Sequence, residues 1–312
     1  MNGKISALLF LLLLLSVSSG LFAEGKLLLW EARHPERAGK LFLAGSIHLG
    51  RKELFPLDKA YDNALAQSQE LVFETFEEDV RASEKTIAEF IRRKALYPAG
   101  KSLRDVMNES ELTLLESFYR AKGGGNFRRE ELFSRRPWIL VLELTLVAAA
   151  ESNLKVEYGF ETVFRKYRNG RSARGLEQTY TQLSMLEGTG EKQLCAVLLD
   201  GIRDYAGEKK ALEEILEAFR TGKTAPLAAQ AEKTEKKYPL FHKRLLLLRN
   251  RGMAETLAEY AKERKTFFVL IGAAHFAGKG NVLQLLEEKG FLVKQLERTG
   301  EKGSITAEAA NE

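Results

Sequence analysis

Phe42-Leu43-Ala44-Gly45-Ser46-Ile47-His48 is an apolar run of strand length, broken by a glycine that is followed three residues later by a histidine. Near the other end Phe267-Phe268-Val269-Leu270-Ile271 runs into Gly272-Ala273-Ala274-His275 in the same way. Short, nearly continuous apolar runs bounded by turn residues fit strands buried on both faces. The chain has only four histidines, and two of them follow Gly-x-x at the end of such a run.

Outward from the first stretch, Lys26 to Ala32 reads as a strand joined to it through Pro35 and Gly39, which makes a β-hairpin. Beyond His48, the spacing of Leu57, Tyr61, Ala64 and Leu65 predicts a helix that leads to a buried strand, Glu70 to Phe73, ending at Glu74. Strand, helix and strand in that order place the strands parallel, with their carboxyl ends on one edge. Arg171 to Leu176 reads as another strand, ending at Glu177, and Phe291 to Lys294 as the last.

The intervening chain reads as helices. They cover Asp79 to the break at Gly123-Gly124-Gly125, with Asn108 and Glu111 as a capping pair, and the apolar run Ile139 to Ala150 behind Pro137. Further helices follow through Leu183 to Ile202, Leu212 to Phe219, Pro239 to Asn250 and Met253 to Ala261, and Asn281 to Lys289 ends at Gly290. The expected class is α/β: a mixed or largely parallel central sheet flanked by many helices, with the paired Gly-x-x-His motifs at strand carboxyl ends.

The 312 residues, 45% hydrophobic and 29% charged, are those of a folded protein with a sizeable core. Residues 1–23 have the layout of a secretory signal, with Lys4, an apolar run from Ala7 to Val17, and small residues before Ala23. The expected organisation is a cleaved signal at 1–23, one α/β domain at 24–298 and a disordered tail at 299–312. The expected location is extracytoplasmic, periplasmic or secreted, with no transmembrane helix after cleavage. The pattern assigns no oligomeric state.

Cys195, the single cysteine, lies in an apolar helical stretch and reads as a buried, inert thiol. The net charge of +5 is interspersed with acids rather than gathered into a stripe, which argues against a nucleic-acid partner. His34 and His242 stand in charged surroundings and read as surface residues. Gly278-Lys279-Gly280 and Gly222-Lys223-Thr224 lack the residues of a phosphate loop, and no Gly-x-Ser-x-Gly elbow or His-Glu-x-x-His helix occurs.

Ligands of parallel α/β sheets sit beyond the strand carboxyl ends, so His48, Glu74, Glu177 and His275 are candidates to converge. Two imidazoles and a carboxylate, His48, Glu74 and His275, make a divalent-metal set with a position left for water, while Glu177 could serve as acid or base. Arg136 is a candidate oxyanion or anion partner, with helix capping and ion pairing as competing roles.

Several segments together resemble the TraB/GumN family, which includes the Tiki-type metalloproteases. They are Leu43 to Gly50, Leu71 to Glu74, Arg136-Pro137-Trp138, Gly175-Leu176-Glu177 with Gln182-Leu183, Arg249 to Met253, and Gly272 to Gly278. They occur in the family's order and cover nearly the whole chain after residue 23. Ser46 stands where threonine is common, and Phe276-Ala277-Gly278 where leucine usually precedes a nearby glycine. The resemblance implies a metal held by His48, Glu74 and His275, with Mn, Co or Zn as the ion and Glu177 and Arg136 as supporting catalytic groups. It implies hydrolysis of a peptide or protein substrate. The alternative is a non-catalytic extracytoplasmic binding or assembly factor, for example for surface polysaccharide.

Overall fold

The computed structural model describes residues 25–76, 80–123 and 127–308, so the signal expected at 1–23 and part of the glycine break lie outside the described residues. Six strands form one sheet: β1 (Lys26–Arg33), β2 (Lys40–Ser46), β3 (Glu70–Thr75), β4 (Ser172–Glu177), β5 (Thr266–Gly272) and β6 (Leu292–Glu297), in the order β4-β3-β5-β2-β1-β6. The pairs β4/β3, β3/β5 and β5/β2 are parallel, and β2/β1 and β1/β6 antiparallel. The sheet is therefore mixed and mostly parallel.

β5 is central, and its residues Phe267 to Ile271 are fully buried, as a strand covered on both faces must be. It lies between β2 and β3, so the two strands that lead to histidines are neighbours, with Ser46 opposite Gly272. β3 carries Glu74 on the other flank of β5, and Thr75 stands opposite Glu177 of β4. The register brings all four strand-end candidates to one edge.

The first crossover helix is α1 (Lys59–Ala66), whose buried Tyr61, Ala64 and Leu65 meet the sheet. Between β3 and β4 come α2 (Val80–Lys94), α3 (Glu109–Gly123), α4 (Arg129–Phe133), α5 (Pro137–Glu151) and α6 (Phe160–Lys166). The expected cap forms: the Glu111 N–H donates to Asn108 Oδ1 at 3.0 Å, and the Asn108 N–H to Glu111 Oε2 at 2.9 Å. After β4 follow α7 (Thr179–Glu187), α8 (Glu191–Arg203), α9 (Tyr205–Thr221) and α10 (Ala225–Lys237). Phe90, Leu115, Phe133, Trp138, Leu194 and Leu198 build a second apolar core from these helices, separate from the core against the sheet. No helix among the described residues is long and apolar enough to cross a membrane.

Between α10 and β5, two separate helices were expected, parted near Arg251-Gly252. The chain instead continues from α11 (Pro239–His242) through a π-helical turn, Lys243–Leu247, into α12 (Leu248–Tyr260). Gly252 is tolerated because it sits on the exposed face. α13 (Val282–Glu288) follows β5, with Asn281 capping it by accepting from the Gln284 N–H at 3.1 Å.

The disordered tail expected from Thr299 is corrected as far as Glu308. Ile305 is fully buried, the Leu57 N–H donates to its carbonyl at 3.0 Å, and the Thr306 N–H donates to the Tyr167 hydroxyl at 2.8 Å. Two buried apolar residues, Ile305 and Ala307, anchor the strap among small and charged ones, a signal that average composition conceals. His242 is also corrected: it is 4% exposed, because the continuous helix turns it inward. Cys195 is a buried free thiol, as expected.

Candidate metal centre

His48, Glu74 and Glu161 each offer a ligand atom, and these atoms lie within 4.8 Å of one another. His48 projects from the loop after β2, its side chain 59% exposed. Glu74 ends the apolar face of β3 and is 3% exposed, and Glu161 stands in the first turn of α6. One imidazole and two carboxylates are a ligand set for a divalent metal ion. Bonds of about 2.1 Å would place ligand atoms roughly 3–4 Å apart, inside the 4.8 Å within which these atoms lie.

Glu161 binds two residues of the β2 end. Its Oε1 accepts from the Ser46 hydroxyl at 3.1 Å, and its Oε2 lies 3.3 Å from His48 Nδ1. The hydrogen bond with Glu161 raises the His48 pKa against the opposing effect of burial. The α6 end is itself fixed to the same loop, since the Phe160 N–H donates to the Ile47 carbonyl at 3.0 Å.

Glu74 is held at both oxygens. Arg249 and Gln182 donate to Oε1, the latter at 2.9 Å, and the Gly272 N–H donates to Oε2 at 2.6 Å. Burial pushes the Glu74 pKa up, but His275, Arg249, His48 and the Gly272 N–H outweigh it and hold the pKa at about 2. A Cβ on Gly272 would lie 3.0 Å from Glu74 Oε2 and 3.6 Å from the His275 ring, so glycine permits this close approach. Gly45 has a different reason: a Cβ there would meet Leu28 and Ala273 in the packing.

His275 is 4% exposed and shares its Nδ1 with Asn250 Oδ1 at 2.5 Å. Asn250 Nδ2 donates to the Gly280 carbonyl at 2.8 Å, which fixes the amide so that Oδ1 faces the ring. Nδ1 therefore carries the proton and Nε2 the lone pair. Burial lowers the His275 pKa to about 4, with Arg249 and His48 adding to the effect and Glu74 opposing it. The ring is neutral near pH 7, as a metal ligand must be.

A profile of the TraB/PrgY/gumN family matches residues 28–295. The chain belongs to this family. The uncharacterized protein YbaP of Escherichia coli K12 is 25% identical over 250 residues, covering 78% of this chain and 86% of that protein. YbaP of Shigella flexneri matches to the same extent. No solved structure matches.

In this family member the strand-end candidates do not all play one part. His48 and Glu74 enter the three-residue cluster, His275 interacts electrostatically with Glu74, and Glu177 joins Glu74 through Arg249 and Gln182. Arg136 is engaged elsewhere: its guanidinium lies 3.7 Å from Glu187, its Nε donates to the Leu96 carbonyl at 3.3 Å, and it covers the Tyr97 ring. Of the roles weighed for it, ion pairing is the one the contacts display. Arg136→Gln is expected to cost at most about 1 kcal/mol, as partly exposed pairs do, and to leave metal content unchanged, checked by urea unfolding and metal analysis.

Glu161, Arg249 and Asn250 were not among the site residues expected from sequence, although Arg249 and Asn250 open one of the segments that carry the resemblance. Glu161 had a signal, since it is an acid beside Phe160, Val163 and Phe164, all of which are buried. An acid on the face that meets a core needs a cation or metal partner.

Proposed function

We propose that this family member is an extracytoplasmic metal-dependent hydrolase, a peptidase of the Tiki type acting on a peptide or protein substrate. The observation that carries the proposal is the His48/Glu74/Glu161 cluster. His275 Nε2 is a further donor in this reading, and the signal layout of residues 1–23 supports the location. A bound Mn, Co or Zn ion would supply a water of lowered pKa and polarise a scissile carbonyl.

The chain's own groups prepare the site. Arg249 pairs with Glu74 and Glu177 together, so one guanidinium holds the two neighbouring carboxylates. Gln182 bridges the same two carboxylates, at 2.9 Å and 3.0 Å. Glu177 acts here as a positioning residue for Arg249, and Asn250 fixes the His275 tautomer. His48, the most exposed member, is the one a substrate meets first.

The test is metal analysis of purified protein with an unstructured casein digest as the activity readout. The wild type is expected to hold about one equivalent of divalent metal and to lose hydrolysis on chelation. His48→Ala/Glu161→Gln is expected to lose both. Stoichiometric metal in that double variant would overturn the site. Bound metal with no chelation-sensitive hydrolysis in the wild type would favour the binding or assembly role.

A further inference from the structure

A second concavity, of about 680 Å³, opens between the loop before α1, the carboxyl end of α9 and the strap after β6. None of His48, Glu74, Glu161 or His275 lines it. Its size is that of a small-molecule site. Its floor is aromatic: Phe160 lies 5.7 Å from Phe55, 6.2 Å from Tyr61 and 4.8 Å from Phe219, ring centre to ring centre.

Two polar groups at this floor lack the partners such groups normally have. Tyr61 is 3% exposed, yet among the described residues its hydroxyl makes no hydrogen bond, and burial raises its pKa. Arg298 is half-buried and spends Nη2 on the carbonyls of Phe219 and Arg220, but no carboxylate among the described residues pairs with it. Lys302 on the same rim also has no ion-pair partner among them.

The rim acids are largely committed. Glu301 pairs with Lys59, and Asp58 accepts from the Ala60 N–H and from the N–H and hydroxyl of Thr299. Asp58 keeps its charge, because its donors are neutral groups, so Asp58 and Glu53 balance Arg298 and Lys302 across the rim. An aromatic floor, a hydroxyl with a proton to donate and a guanidinium without a carboxylate partner are together complementary to one kind of ligand.

We propose that this cleft binds a small amphipathic carboxylate, its apolar body against Phe55, Phe160 and Phe219 and its carboxylate accepting from Arg298 and the Tyr61 hydroxyl. The guanidinium supplies a charge-assisted bond, and the aromatic floor gains from apolar area removed from water. The strap residues Gly300 to Lys302 form one wall, so ordering of the strap and formation of the cleft go together.

The test is isothermal titration of the full chain without its signal, using decanoate below its micelle concentration and the uncharged decanamide as probes. Decanoate is expected to bind saturably at one site, with decanamide weaker by about tenfold or more, the worth of a charge-assisted hydrogen bond. Arg298→Gln is expected to abolish that difference by weakening decanoate alone. Tyr61→Phe is expected to weaken decanoate about threefold, in keeping with a neutral donor. Equal binding of the two probes, no saturable binding, or an Arg298→Gln variant that distinguishes them as the wild type does would each overturn the proposal. The wild-type comparison of the probes stands even where a variant fails to fold.

Discussion

Arg249→Met is expected to lower the unfolding free energy of the metal-free protein by about 3–5 kcal/mol, the cost of stranding buried charge. Arg249 is one guanidinium serving two carboxylates, and the side chains of Arg249, Glu74 and Glu177 are only 10%, 3% and 11% exposed. Solvent does little to screen charges so placed. With the guanidinium gone, Glu74 keeps the Gly272 N–H and Gln182 but loses its fixed cation, and Glu177 stands beside it as a like charge. The measurement is urea unfolding in the presence of chelator. Glu74→Gln/Glu177→Gln added to Arg249→Met is expected to recover part of the loss, because the stranded charges are then absent. A loss below about 1 kcal/mol would show that the group behaves as a solvated surface pair.

The parts of this fold that were legible in the sequence are those with a local period. The β1/β2 hairpin, the buried run of β5, the Asn108/Glu111 cap and the Pro137 helix start each arise from residues within one or two turns of chain. The convergence at the strand ends was legible too, since parallel strands separated by helices share an edge. Which strand lies next to which was not: β5 comes fifth in the chain yet fits between β2 and β3. That position is set by which of the apolar strands can be covered on both faces.

The site itself divides along the same line. Residues at strand ends were visible because the strand marks them. Arg249 and Asn250 lie on a helix face, and Glu161 in a helix first turn, so their relevance depends on where those helices dock. The π-helical turn at Lys243–Leu247 shows why a helical wheel drawn from Pro239 to Tyr260 gives the wrong faces. One extra residue per turn rotates the next helical turns by about 100° relative to an ideal helix, and Arg249 and Asn250 come directly after it. The tail is the reverse case: Asp58, which caps α1, and Asp62 within it accept hydrogen bonds from Thr299 and Ser304, pairings more than two hundred residues apart.

Gly159→Ala is expected to weaken metal binding by more than about tenfold and to destabilise the fold by about 1–3 kcal/mol, the range for forcing atoms into a packed site. Gly159 has φ −69°, which any residue adopts, so backbone strain is not the reason. A Cβ there would lie 2.2 Å from the His48 carbonyl oxygen and 2.8 Å from its carbon. Both are backbone atoms and cannot swing aside, so the α6 end and the His48 loop must separate. Those segments carry Glu161 and His48, and the 3.3 Å approach of their side chains depends on the contact that would be broken. Gly252→Ala is the matched control. A Cβ there meets nothing within 4 Å, and its place is inside α12, where alanine is favoured over glycine by about 1 kcal/mol. That variant is expected to gain stability and keep wild-type metal affinity, read by chelator competition with zinc and by urea unfolding. Equal effects of the two substitutions would mean that the His48 loop is free to move, and that Glu161 does not depend on α6 docking to reach it.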